Sequence, residues 1–302
     1  MAFGSSPVWN VACQVFFPGQ AGESAELRDL LIVTPDNLGA TRIGLGMRHW
    51  EMARALGLLG FSVTLTSCAK QEKGLVGEHF TLAEFSQESL PNLIARHRAV
   101  LTQGVGVFHM PEQAFSGQCF IVDMVTPMHM ENVGNSEGRY DEGYECAREG
   151  LRRGDFLVCG NERQRLYWLG LLAALKRTGC AEYTRHAEYR ALIDVVPFGI
   201  RETPPVLREP GIRNAETGFA EGDFVLLWFG GIWDWLDPLP FIRAVHKAHA
   251  QNPRVKVFFS MFAQKGKQPT KSALSARDEA QRLGLLGNCV YFRPEPVPFA
   301  ER

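Results

Sequence analysis

Two glycines two apart, Gly44 and Gly46, sit between Arg42 and Arg48, where an apolar run gives way to a helical pattern. Glycines there let a backbone approach a phosphate closely, amides at a helix start donate to it, and an arginine adds charge-assisted hydrogen bonds. The other reading of these residues is a tight strand-to-helix turn with solvated arginines. Asp123 closes the apolar run Phe120-Ile121-Val122, where a carboxylate can orient a hydroxyl, accept its proton, or cap a loop. His129 and Glu131 form His-x-Glu, but the zinc-deaminase use of that pattern needs a Pro-Cys-x-x-Cys partner that the sequence lacks. Substrate contact or plain loop polarity is what the pair leaves open. His109, after Gly104 and Gly106, could reach a hydroxyl or serve the structure. Trp233 and Trp235, beside Gly230, Gly231 and Asp234, could wall a pocket with flat apolar faces or pack at a hinge.

Other chemistries fail on spacing. His49 stands where a dinucleotide fingerprint wants its third glycine, and Thr66-Ser67-Cys68 offers no carboxylate for a ribose, which disfavours a nicotinamide enzyme. Asp234 and Asp237 lie three apart and no Asp-x-Asp occurs, so no compact carboxylate pair is available to hold Mg²⁺ against phosphates. Neither a Gly-x-Ser-x-Gly elbow nor a P-loop is present. With 32 basic and 33 acidic residues the net charge is -1, too balanced to attract nucleic acid or an anionic membrane over the whole surface. Seven scattered cysteines without a Cys-x-x-Cys pair read as reduced thiols. No run approaches the ~18 apolar residues of a membrane span, and the first residues do not resemble a secretory signal. The expectation is a cytoplasmic protein with at most peripheral membrane contact.

The elements that must position these residues alternate. Leu30–Thr34 is a continuous apolar run of the kind buried on both faces of a parallel sheet. Met52, Ala55, Leu56 and Leu59 then recur at helical spacing up to Gly60, and Phe61–Thr66 is rich in strand formers. Apolar runs at Ala99–Thr102, Phe120–Met124, Phe156–Cys159 and Leu192–Val196 continue the pattern. Tyr140, Tyr144, Ala147 and Leu151 mark one helix; Asn161 and Gln164 start another whose apolar face reads as Leu166, Leu169 and Ala173. Pro197–Gly222 holds four prolines without periodicity and reads as a linker. Beyond it Phe224–Phe229, a helix opened by Asp237-Pro238, Val255–Ser260, a helix over Ala273–Leu283, and Cys289–Phe292 repeat the alternation. The fold class is therefore α/β with two Rossmann-like, doubly wound domains, the second incomplete: an N-terminal extension at 1–27, a first domain at 28–199, a linker at 200–222 and a partial domain at 223–302. About 80 residues for that last domain fall short of the ~100–150 usual for a self-sufficient one, so a truncated product or fragment is expected.

Local residues narrow the function. Ile43–Ala53 resembles the glycine-containing first loop and helix of retaining glycosyltransferases with the GT-B fold, and Phe61–Leu65 resembles the strand that follows. Phe120–Asp123 running into Pro127–Glu131, the stretch Gly154–Gln164 and Val196–Gly199 are similar to segments of a bacterial branch of these enzymes, the family 4-like or group 1 type. Phe229–Pro238 resembles the loop that opens their donor-binding domain. The resemblance implies transfer of a sugar from a nucleotide-sugar donor to an acceptor hydroxyl in a cleft, with retention of configuration. No cofactor beyond the donor substrate is expected, and the lack of an Asp-x-Asp pair makes metal-independent transfer the expectation. The acceptor would be a glycan, a lipid-linked molecule or a small molecule. Asp123, His129 and Glu131 are then the expected catalytic residues, and Gly44, Gly46, Arg48, Gly230, Gly231 and Trp233 the expected nucleotide-sugar contacts. This sequence holds no C-terminal segment with the family's paired donor-binding glutamates, so the competing expectation is a noncatalytic binding or scaffold protein on a degenerate or truncated GT-B fold.

Overall fold

The computed structural model describes residues 29–297 apart from 43, 70, 71, 73, 116, 134–136, 202, 203, 205, 207–210 and 265. The expected N-terminal extension, with Cys13, and part of the expected linker lie outside the described residues. The chain divides into two compact units, one from Met1–Met130 and Glu137–Ile200, the other from Glu131–Ser136 and Arg201–Arg302.

The first unit is a seven-stranded sheet in the order β3-β2-β1-β4-β5-β6-β7. Its strands are β1 (Asp29–Thr34), β2 (Ser62–Ser67), β3 (Thr81–Leu82), β4 (Ala99–Gln103), β5 (Cys119–Asp123), β6 (Phe156–Cys159) and β7 (Ile193–Val195). Every neighbouring pair is parallel. Parallel pairing needs crossovers that cover both faces, which is why Leu31, Ile32 and Val33 are all buried without alternation. The strand order reverses between β1 and β4, and at such a switch point the loops leaving the C-terminal strand ends diverge and open a crevice.

Helix α1 (Gly44–Leu58) follows β1, starting three residues before the expected Met47 and taking both loop glycines into its first turn. Gly60 ends it at φ 84°, a conformation that favours glycine. The crossovers between β2 and β5 add two short helices, α2 (Leu90–Ala95) and α3 (Gly104–His109), and the elements after β5 are α4 (Met128–Glu131), α5 (Glu137–Arg153), α6 (Glu162–Ala174) and α7 (Cys180–Arg185). Asn161 caps α6 as expected, accepting from the Gln164 amide at 3.0 Å. Gln164 reaches back to the amide of Gly160 rather than that of the cap residue, and its own amide donates to Val125 O, so the cap also ties α6 to the loop after β5. The face of α6 differs from expectation. Leu166 is 64% exposed, whereas Trp168 and Leu172 are fully buried in the core with Val122, Leu151 and Leu157.

The second unit is a three-stranded parallel sheet in the order β10-β9-β8, from β8 (Phe224–Trp228), β9 (Val255–Phe259) and β10 (Val290–Phe292). Helices α8 (Leu239–Gln251) and α9 (Lys271–Arg282) cover it through Ile242, Val245, Ala273, Ala276 and Ala280. Helix α8 starts one residue later than the Asp-Pro pair predicts, with Pro238 at the N-cap, and Asp237 just before it accepts from the Leu239 amide at 3.2 Å. Among the described residues, no helix is long and apolar enough to cross a membrane.

Candidate functional site

The C-terminal strand ends of the first unit carry a buried polar cluster. Arg48, one turn into α1, is 4% exposed and points inward. Its Nε donates to Asp123 Oδ2 at 2.6 Å, its Nη2 donates to the carbonyl of Val196 at 2.7 Å, and its guanidinium lies over the Phe198 ring at 4.8 Å. One side chain therefore joins α1, the end of β5 and the segment leaving β7. His49 is wholly buried beside it, with Nε2 3.4 Å from Asp123 Oδ2. Burial alone would raise the Asp123 carboxyl, but His49 and Arg48 outweigh it and hold the group below the ordinary carboxylate value.

This geometry gives both residues structural partners. Arg48 points into the fold, with its hydrogen bonds made to Asp123 and a carbonyl. Asp123, anchored and held acidic, is a poor proton acceptor and a good anchor. The glycine loop is accounted for by packing. A Cβ on Gly46 would collide with the Asn37 carbonyl, so only glycine lets α1 start this close to the loop after β1. Gly44 has φ +49°, and Asp36 Oδ2 accepts from the Leu45 amide at 3.2 Å, so a carboxylate already faces the start of α1. Arg42 lies over the Trp50 ring at 4.4 Å.

His129 and Glu131 fall on the short α4. His129 is buried, its Nε2 hydrogen-bonds the Tyr167 hydroxyl, and its Nδ1 has no hydrogen-bond partner. The ring is stacked with Tyr167 and meets Tyr140, Tyr144 and Trp168 edge-on, with centroids 6.1–6.3 Å apart. Gly143 makes this possible: a Cβ there would stand 2.7 Å from the His129 nitrogen, so α5 crosses α4 backbone to backbone and brings Tyr140 and Tyr144 to the imidazole. In the sequence the tyrosines read only as markers of a helix face, because their convergence on His129 is tertiary. Glu131 is half-buried, which raises its carboxyl. His109 ends α3 and is exposed. Among the described residues, no group of three or more His, Cys, Asp or Glu gathers to hold a metal ion.

Burial lowers His129 below its ordinary 6.5. The unfolded chain then binds the proton more readily, so His129 stabilises the fold above about pH 6.5 and this contribution is lost as pH falls toward the lowered folded value. Thermal midpoints measured from pH 7.5 to 5 should fall more steeply for the native protein than for His129→Gln. Equal slopes would show that His129 takes up its proton in the fold as easily as in the unfolded chain.

In the second unit, Gly230, Gly231 and Trp233 lie on the loop leaving β8. Gly230 is exposed at φ 117° and its amide donates to Ser260 Oγ at 2.8 Å. Gly231 is buried, and its carbonyl accepts from Trp228 Nε1 at 3.3 Å. Trp233 stacks on Trp235 at 5.6 Å and 14°, with Trp235 48% exposed. Asp234 accepts from the Ser272 amide at 2.9 Å, and Thr270 donates to the Ile232 carbonyl, so the loop is braced on the start of α9. It presents a stacked pair of indoles at a C-terminal strand end.

No family model and no curated protein matches the chain. Solved structures do. Anabaena HepE in complex with UDP-glucose aligns with 90% of this chain and 71% of its own at a TM-score of 0.55 and 13% identity. WaaG, a glycosyltransferase involved in lipopolysaccharide biosynthesis, aligns over the same shares at 0.55 and 16% identity. With the parallel sheets and strand order above, these likenesses establish the fold: two Rossmann-like α/β units of the GT-B glycosyltransferase type.

Proposed function

We propose that the protein is a glycosyltransferase that moves a sugar from a nucleotide-sugar donor to an acceptor hydroxyl. The observation that carries this reading is the fold likeness to HepE, a protein seen with UDP-glucose bound, over 90% of the present chain. The donor is assigned to the second unit, where the braced loop at Gly230, Gly231 and Trp233 offers flat apolar faces suited to a base or sugar ring. The acceptor, a glycan, a lipid-linked molecule or a small molecule, is assigned to the first unit beside Asp123 and His129.

The chemistry needs a positioned hydroxyl and stabilisation of a departing diphosphate more than a strong protein base. Asp123 suits the first need as an anchored acceptor of hydrogen bonds. Transfer with retention and without a metal belongs to the same proposal, in which the leaving phosphate itself serves as the base for the acceptor hydroxyl. A noncatalytic binding or scaffold protein is the second reading, favoured by one feature: Arg48 is taken up by Asp123 Oδ2 and the Val196 carbonyl, which leaves its charge no part in stabilising a departing phosphate.

Calorimetry with UDP-glucose tests the reading. Saturable heat with a Kd between about 1 μM and 1 mM is expected, the range in which enzymes meet their substrates. Transfer to an acceptor in the presence of EDTA, with the product anomer read by NMR, then tests metal independence and retention. Binding without turnover, or no heat at millimolar donor, would sink the transferase reading and favour the noncatalytic binding or scaffold one.

A further inference from the structure

A small cavity in the first unit lies at the C-terminal ends of β4 and β5, lined by Gln103, Asp123, Thr126, Met128 and Cys146 among others. Gln103 is the last residue of β4, and in the parallel register it stands directly beside Asp123, the last of β5. It is 3% exposed, yet its Nε2 donates to nothing. An unmatched buried donor costs about 1–3 kcal/mol, and folded proteins rarely keep one without a water, ion or ligand to receive it. Asp123 complements it. Oδ2 is taken by the short bond from Arg48, while Oδ1 has only long contacts, 3.4 Å from Arg48 Nη2 and 3.3 Å from the Val125 amide, and keeps capacity to accept.

We infer that Gln103 and Asp123 together hold one hydroxyl of a sugar acceptor, Gln103 Nε2 donating to the hydroxyl oxygen and the hydroxyl donating to Asp123 Oδ1. The pair is selective on elementary grounds. A carbonyl would satisfy Gln103 and leave the carboxylate unmatched, and an ammonium would do the reverse. A hydroxyl accepts and donates at one atom. The small cavity has room for one such group. This assignment rests on the reading that the first unit receives the acceptor. It adds to the expected site a residue, Gln103, that the sequence does not single out, because a glutamine at the end of an apolar run carries no motif.

The test uses the full chain, ¹⁵N-labelled, with methyl α-D-glucopyranoside as probe up to 100 mM. The side-chain amide resonances of Gln103 should shift on titration, and Gln103→Met should weaken the glycoside at least tenfold while leaving the UDP-glucose heat unchanged. Gln103→Leu, which keeps much of the volume and has no donor, should behave like Gln103→Met. A Gln103 amide that does not move, or glycoside binding that is the same in all three proteins, would overturn the inference and leave the cavity to a structural water. UDP-glucose heat without a glycoside-dependent shift would sink this site alone. A shift at Gln103 without UDP-glucose heat would uphold the hydroxyl site and sink the transferase reading.

Discussion

Asp123→Asn is expected to cost the first unit about 3–5 kcal/mol, the penalty for leaving a buried cation without its counter-charge. Arg48 is 4% exposed and cannot turn to water without abandoning Val196 and Phe198, so the loss is not relieved by a change of rotamer. At roughly 2–4 °C per kcal/mol for a unit of this size, the thermal midpoint should drop by about 6–20 °C. Replacing both partners by apolar residues, Arg48→Met with Asp123→Leu, should recover most of that stability, because a buried pair contributes little over a well-packed apolar substitute. The sign with pH follows from the lowered Asp123 carboxyl: its stabilisation is present above the ordinary value of 3.8 and lost as pH falls through the folded value. A loss under about 1 kcal/mol in Asp123→Asn would mean that Arg48 is solvated and the cluster is not an anchor.

The cluster also shows where reading from sequence stops. Parallel strands are continuous apolar runs, so β1, β4, β5 and β6 are legible within a residue or two. The loops at their C-terminal ends are legible as places for chemistry, since Asp123 and the glycines fall there by topology alone. What cannot be read is direction. Arg48 follows two glycines and looks like a phosphate ligand, and only the tertiary approach of β5 turns it inward. Gly46 looks like a phosphate cradle until the Asn37 carbonyl is seen against it. Short elements escape for another reason: α3 opens Gly-Val-Gly, poor in helix propensity, and is held by packing against α5 rather than by its own sequence.

Helix α6 gives the same lesson with a larger consequence. Its aliphatic residues suggest a face through Leu166, Leu169 and Ala173, but the buried residues are Arg165, Trp168 and Leu172. Arg165 can be buried because its Nε donates to Glu162 at 2.8 Å and its Nη1 to the Glu188 carbonyl at 2.8 Å. Trp168 is buried because its indole N–H donates to the Met124 carbonyl at 2.8 Å, which holds the chain just after Asp123. Trp168→Ala should therefore destabilise the first unit by about 3–5 kcal/mol, the usual cost of emptying a large aromatic site. Trp168→Phe keeps much of the volume but strands the Met124 carbonyl, and should lose about 1–3 kcal/mol. Leu166→Ala, on the face that the sequence favours, should change stability by less than about 0.5 kcal/mol. Because Trp168 also meets the His129 ring, loss of the indole should loosen the Met124–His129 segment, read as faster amide exchange there than in the strands of the same sheet. Equal losses in Leu166→Ala and Trp168→Ala would show α6 rotated by about one residue, with its aliphatic face inward.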